Sequence, residues 1–502
     1  MSTERALLHG LLDRAAARSP DRPAVTVDGI TVDYAELDRA SRRLGRWLSD
    51  AGLTRGQRLV ICARATPLSA ALIYAASRIG VVFVLLHEKV RGPQLAHVLA
   101  DCEPTLVVGD TPETLEAAKN AGVPAVRGSQ LAETAFSPDS PTGALPPPLS
   151  VDPVCLLYTS GTTALPKAVV STHQQVLFAV EAIQSVLQYR SDDVVFTPVP
   201  ISFDYGLYQL FLTADAGAHF WLGRSTDVGP PLLEALHRAR ATVLPAVPAV
   251  AQVLARLLAR TQARVPGLRL LTNTGAAMPT EVLGALRSAM PDLKVQLMFG
   301  LTECKRATIM PVDGDLRRPG SSGKPLPGTE VFTVDATGAR LPAFEVGEII
   351  VRGPHVMSGY WRRAELTAAR FHRAEGLFPE LHTGDYGWLD QEGYLYFKGR
   401  QDDLYKENGF RVSAIEVEAA ALRVPGVLAT AVLTPTSDDP ATLFAVTLLS
   451  SAEVLTAMRD EIEEFKIPRR CVILTRIPLT PNGKVDRKAL AALPKEFLNA
   501  RP

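Results

Sequence analysis

Five short stretches of this chain concentrate side chains able to manage a charged phosphorus centre. In the first, an apolar run from Leu156 ends in Thr159, Ser160, Gly161, Thr162 and Thr163 and closes on Lys167. Gly161 frees the backbone so that amide N–H groups can converge on an anion; the hydroxyls add donors and Lys167 adds charge. Such a loop suits a polyphosphate. It is not a Walker loop, because Pro166 stands where that motif needs its second glycine and Ala168 where it needs Ser or Thr. Further along, Phe299-Gly300-Leu301-Thr302-Glu303 offers a glycine turn, a hydroxyl and a carboxylate. Leu381-His382-Thr383-Gly384-Asp385 places an acid after a turn, and Lys398-Gly399-Arg400-Gln401-Asp402-Asp403 precedes Lys406 to Val412. Finally, Asn482-Gly483 makes a tight hairpin that would hold Lys484 at its tip. Each stretch alone reads equally as a surface turn.

The elements that must position these residues alternate in type. Residues 33–50 have helical periodicity, 58–63 read as a strand and 68–79 as a buried helix. Short apolar runs at 81–86 and 105–108 suit buried strands, and the alternation points to α/β layers. Pro, Ser, Asp and Gly dominate 124–153, which reads as an irregular connection. Alternation resumes to about residue 300, followed by Gly- and Pro-rich β-like segments to Gly399. Beyond Arg400, Ser413 with Glu416 and Ser450 with Glu453 form capping boxes, each opening a helix. Strands are expected at 427–433, 443–449 and 471–474. The chain therefore divides, as an expectation, into domains 1–400 and 401–502.

Composition narrows the function classes. The 502 residues are 47% apolar and 21% charged, ordinary for a globular protein. Fifty-three basic residues balance fifty-three acidic ones, so bulk charge favours neither nucleic acid nor an anionic membrane as partner. The N-terminus lacks signal-peptide architecture, and no apolar run approaches a membrane span. Cys62, Cys102, Cys155, Cys304 and Cys471 lack metal-type spacing and read as core residues in a reducing, cytoplasmic setting.

In order and spacing, the five stretches closely resemble the adenylate-forming superfamily of acyl-CoA synthetases, peptide-synthetase adenylation domains and luciferases, from about residue 10 to 490. The resemblance implies an α/β fold with a large multi-subdomain N-terminal domain that binds ATP and the acid. It also implies a mobile, small α/β C-terminal domain that carries a catalytic lysine. The loop from Thr159 to Lys167 matches the family's phosphate loop. Thr302 and Glu303 match residues that contact the α-phosphate and hold Mg²⁺. Asp385 matches the carboxylate that accepts the ribose hydroxyls, with Arg400 nearby. Gly275 begins the turn bordering adenine, Phe299 stacks on the purine, and Asp402 marks the hinge. Lys484 matches the lysine bridging the attacking carboxylate and the α-phosphate. Two departures, Ala164 and Ala168 for the usual glycines, narrow the allowed backbone but remove no donor.

Substrate choice rests on Ser202-Phe203-Asp204-Tyr205-Gly206. In amino-acid-activating relatives an aspartate after Ser-Phe pairs with the α-ammonium, and Asp204 occupies that place. Some fatty-acyl ligases carry a similar stretch, with the aspartate structural. The same alignment brings Tyr205, Tyr208, Thr274, Met298, Arg306 and Ala307 to the side-chain pocket. The tyrosines and methionine suggest limited, mainly apolar room, as for proline, and the stretches are similar to stand-alone prolyl-AMP ligases of antibiotic pathways, in nonribosomal peptide biosynthesis. Arg306 either turns outward or reads a second carboxylate. No carrier domain follows Lys484, so the expected acceptor is the phosphopantetheine thiol of a separate carrier protein, with CoA, as in an acyl-CoA or fatty-acyl-AMP ligase, the alternative. A non-catalytic nucleotide sensor would have no use for Glu303, Asp402 and Lys484 together.

Overall fold

A computed structural model describes residues 6–137, 148–159, 166–373, 379–400, 404–407, 410–436, 439–462, 464–480 and 485–493. The chain forms two compact units, the first built from residues 1–319, 323–331 and 351–382, the second from 320–322, 332–350 and 383–502.

The first unit contains two large sheets. One has nine strands among the described residues, and its central run of Val194–Thr197, Val243–Ala246, Leu270–Asn273 and Lys294–Phe299 is parallel. The other has seven, with Arg58–Cys62, Val82–Leu85, Leu106–Gly109 and Pro153–Thr159 parallel before Lys167–Thr172 returns antiparallel. The parallel strands are buried along most of their length, as in sheets covered on both faces. The helix Pro67–Arg78 is buried at every position, as its sequence of Leu, Ala and Ile predicts. Helix Tyr34–Asp50 starts where Asp33 accepts the Glu36 amide, and it turns Leu37, Leu44 and Leu48 inward.

The second unit has its own core, centred on Val412, Val417, Leu443, Val454 and Met458. Strands Ala429–Leu433, Thr442–Val446 and Arg470–Ile473 form its three-stranded sheet, with helices Ala414–Arg423 and Ser451–Ala457 beside it. Ser450 and Glu453 complete a reciprocal capping box. At Ser413 only half a box forms: the hydroxyl accepts the Glu416 amide, while the Glu416 carboxylate pairs with Lys466 Nζ at 2.7 Å. A charge partner within reach outcompetes the neutral backbone amide.

The connection expected at 124–153 is more ordered than its composition suggests. It contains a short strand, Ala125–Val126, and a helix, Gly128–Ala135, that buries Leu131 and Ala135 four residues apart. The five cysteines are free and buried, and no helix among the described residues is long and apolar enough to cross a membrane.

Candidate active site

Strand pairing brings the two stems of the hydroxyl-rich loop together. Pro153–Thr159 runs antiparallel to Lys167–Thr172, with Thr159 opposite Lys167. Helix Gly92–Cys102 holds both stems: Tyr158 donates its hydroxyl to Asp101 at 2.8 Å, and the His97 ring contacts the Pro166 carbonyl at 2.9 Å. Ser160, Gly161, Thr162 and Thr163 lie outside the described residues.

Lys167 points its ammonium at the face of Tyr360, 3.9 Å from the ring centroid. The Tyr360 hydroxyl in turn donates to Glu303 Oε1 at 2.7 Å, and Glu303 is buried. A phenol whose proton is held by a carboxylate in a buried place ionises far above its usual range, so Tyr360 stays a donor. Lys167, Tyr360 and Glu303 thus form one chain of contacts. Tyr360 was invisible to spacing, being 57 residues from Glu303. Its neighbours Gly359, at φ +125°, and Arg362, at φ +51°, mark a constrained backbone there.

Glu303 sits on a tight hairpin that follows strand Lys294–Phe299. The Ala307 amide donates to the Phe299 carbonyl at 2.9 Å, and Phe299 pairs with Thr308. A Cβ on Gly300 would lie 2.0 Å from the Lys305 carbonyl oxygen, so glycine is required for closure. This single loop exposes Thr302 partly, buries Glu303, and sends Lys305 and Arg306 into the protein interior.

There the hairpin meets helix Asp204–Ala216. Asp204 is its first residue, and Gly206 lets the helix start press against the Val199 and Pro200 carbonyls, where a Cβ would be 2.5 and 2.3 Å away. Arg306 Nη1 lies 3.7 Å from Asp204 Oδ2, with its guanidinium 4.7 Å from the centroid of the Tyr205 ring. Tyr205 is fixed from behind by its hydroxyl on Thr272. Tyr208, Thr274, Met298 and Ala307 are buried. Arg306 therefore does not turn outward; only 4% of its side chain is exposed. Alongside the two tyrosines and the methionine, the structure brings in the charged Asp204, Arg306 and Lys305. Lys305, missed as a site residue, is fully buried with Nζ donating to the Thr302 carbonyl at 2.9 Å and lying 5.5 Å from the Tyr208 ring.

In the nine-stranded sheet, strand Leu270–Asn273 runs into Thr274 and then Gly275, which turns at φ +91° and is exposed. In the second unit, Asp385 faces Arg400 across the pairing of Glu380–Leu389 with Leu395–Arg400, and Arg400 Nε donates to Asp385 Oδ1 at 3.0 Å. Asp385 is buried and Arg400 half exposed. Asp402 and Lys484 lie outside the described residues; an antiparallel bridge between Leu479 and Val485 flanks the latter.

No group of three or more His, Cys, Asp or Glu side chains suited to a metal occurs among the described residues. Mg²⁺ keeps waters and binds through one or two carboxylates plus substrate phosphates, and Glu303 is a single buried carboxylate linked to Lys167 through Tyr360.

The fold and these motifs define an AMP-forming acid–thiol ligase of the adenylate-forming class. The chain belongs to the AMP-binding enzyme family, whose model matches residues 12–361, and the AMP-binding enzyme C-terminal domain matches 416–484. An L-proline--[L-prolyl-carrier protein] ligase from Streptomyces coelicolor is 30% identical over 95% of this chain and 94% of that protein. A feruloyl-CoA synthase from Amycolatopsis is 31% identical over 94% and 96%. The solved complex of VinN with L-aspartate is 38% identical, with TM-score 0.72 over 78% of this chain and 98% of that one. Enzymes of this class use ATP.

Proposed function

We propose that the chain adenylates a small amino acid and transfers it to the phosphopantetheine thiol of a separate carrier protein. Asp204 carries this reading: it is a carboxylate at a helix start, partly open while the side chains around it are buried, where a substrate ammonium needs a counter-ion. The prolyl-carrier ligase and the aspartate-bound VinN support an amine-bearing acid. The feruloyl-CoA synthase favours the second reading, an acid without an amine passed to CoA.

In the proposed reaction a carboxylate oxygen of the acid attacks the α-phosphorus of ATP, the bond to pyrophosphate breaks, and an acyl-AMP forms. The thiol sulfur then attacks the acyl carbon, its proton is lost, and AMP leaves. The obstacle in the first step is repulsion between the carboxylate and the phosphate oxygens. Lys484 neutralises charge between them, and the loop from Thr159 to Lys167 holds the leaving phosphates. Phe299 and the turn at Gly275 hold the adenine, Asp385 and Arg400 the ribose, and Thr302 the α-phosphate. Mg²⁺ held by Glu303 supplies further charge neutralisation when bound. Tyr360 fixes one Glu303 oxygen and leaves the carboxylate oriented. We place the small domain after Arg400, with its hinge at Asp402.

Pyrophosphate release should require both amine and carboxylate in the substrate. Asp204→Asn keeps the shape and removes the counter-charge, an effect of about 3–5 kcal/mol for a buried pair, or about two to three orders of magnitude in kcat/KM. Acids lacking the amine should be poor with the wild type and lose far less. A wild type that turns over ferulate or an alkanoate best, with Asp204→Asn affecting all acids alike, would overturn the reading.

A further inference from the structure

Charge does not balance around Asp204. Two cations, Arg306 and Lys305, are buried on the hairpin beside it, with side chains 4% and 0% exposed. Arg306 Nη1 is 3.7 Å from Asp204 and 2.9 Å from the Lys305 carbonyl. Lys305 Nζ donates to the Thr302 carbonyl at 2.9 Å. Glu303 Oε1 already accepts the Tyr360 hydroxyl at 2.7 Å. The Tyr208 hydroxyl, buried next to these groups, has no hydrogen-bond partner among the described residues.

The imbalance grows when an amino acid binds. Its ammonium takes Asp204 from Arg306, and its reacting carboxylate becomes the uncharged carbonyl of the acyl-AMP. Arg306 would then be a buried cation without its carboxylate partner, beside the buried Lys305, a costly arrangement. A proline-like substrate offers nothing to offset it. A second carboxylate does, and the Tyr208 hydroxyl is one more donor for it.

Resting on the amino-acid reading above, we infer that the substrate is a short dicarboxylic amino acid whose non-reacting carboxylate is read by Arg306 and Lys305. Its size follows from the 3.7 Å between Asp204 and Arg306. Groups that pair with two residues so close lie on the same or neighbouring carbons, as in aspartate and not in a long-chain diacid. The ordinary reading of a buried Lys–Arg step, a structural ion pair with Asp204, leaves one cation over.

The test is ATP–pyrophosphate exchange by the wild type with L-aspartate, L-asparagine, L-proline and succinate. L-aspartate should exceed L-asparagine and L-proline by at least about 100-fold in kcat/KM, the effect of truncating one partner of a buried charge pair. Arg306→Met should lower turnover of L-aspartate by a similar factor and shrink its advantage over L-asparagine to below about tenfold. If that variant fails to fold, the shift in melting temperature of wild type with L-aspartate against L-asparagine reads the same preference, and a larger shift with L-aspartate is expected. L-asparagine or L-proline equal to L-aspartate would overturn this inference and leave the amino-acid reading intact. Succinate turning over as well as L-aspartate would overturn the amino-acid reading and keep the cationic pocket.

Discussion

At the residue scale, the chemistry depends on charges whose positions come from very different parts of the chain. Lys484 is assigned to adenylation alone, so Lys484→Ala should lower pyrophosphate exchange by about 10²–10³. The same variant should still transfer a chemically supplied acyl-AMP to the thiol; equal loss in both half-reactions would remove the assigned role. Tyr360 is a positioning residue for Glu303. Tyr360→Phe keeps the ring under Lys167 and deletes a hydrogen bond to a charged group, a change of about 1.5–3 kcal/mol. Exchange should fall about 10- to 100-fold, with most of the loss recovered by raising Mg²⁺ if Glu303 orientation is what Tyr360 supplies. A loss independent of Mg²⁺ concentration would point to packing instead.

At the element scale, one hairpin connects the two halves of the chemistry. Residues 300–307 place Thr302 and Glu303 on one side and Lys305 and Arg306 on the other, and closure needs Gly300. Gly300→Ala would press a methyl group onto the Lys305 carbonyl, where only backbone movement gives relief. Overpacking of this kind costs about 1–3 kcal/mol or more. A lower urea midpoint and loss of exchange with every acid are expected, whereas Ala at exposed Gly284, inside helix Thr280–Ala289 with no neighbour within 4 Å, should leave exchange unchanged and raise the midpoint slightly.

At the scale of the whole molecule, two observations bear on behaviour in solution. The hinge proposed at Asp402 immediately precedes in sequence the core that contains Tyr405, Val412, Val417 and Leu443, so a substitution there is the one to restrict movement. Asp402→Pro fixes φ near −65°. It should adenylate normally and transfer poorly, as measured by separate half-reaction assays; normal transfer would place the hinge elsewhere. Acid should also destabilise the first unit. His173 is buried and held neutral, its pKa lowered to about 4 chiefly by burial, and its Nδ1 accepts the Leu8 amide at 3.1 Å. Because the folded value lies below the unfolded value near 6.5, the unfolded chain binds more protons between them. Stability is therefore complete above about pH 6.5 and is lost as pH falls toward 4, by about 1–2 kcal/mol between pH 7 and 5 from this group. Urea midpoints at the two pH values check this, and His173→Gln, which keeps an acceptor for Leu8, should reduce the difference.

The sequence by itself determined the class of reaction and the periodic elements. Helix 34–50, the buried helix at 67–78 and the central strands follow from local hydrophobic period, which does not depend on distant partners. The motif stretches were legible because a tight turn constrains neighbouring residue types. Helix Gly128–Ala135 was not, since its apolar face is only Leu131 and Ala135 and its surroundings are rich in Pro and Ser. Tertiary structure alone decided the rest. Pairing of Lys167, Tyr360 and Glu303 joins residues far apart in the chain, and nothing in their spacing encodes it. Whether Arg306 faced solvent or the interior was equally open until helix 204–216 and the hairpin at 300–307 were packed together. Burial decides it, because a guanidinium enclosed at 4% exposure needs the Asp204 carboxylate that only the packed fold brings to it.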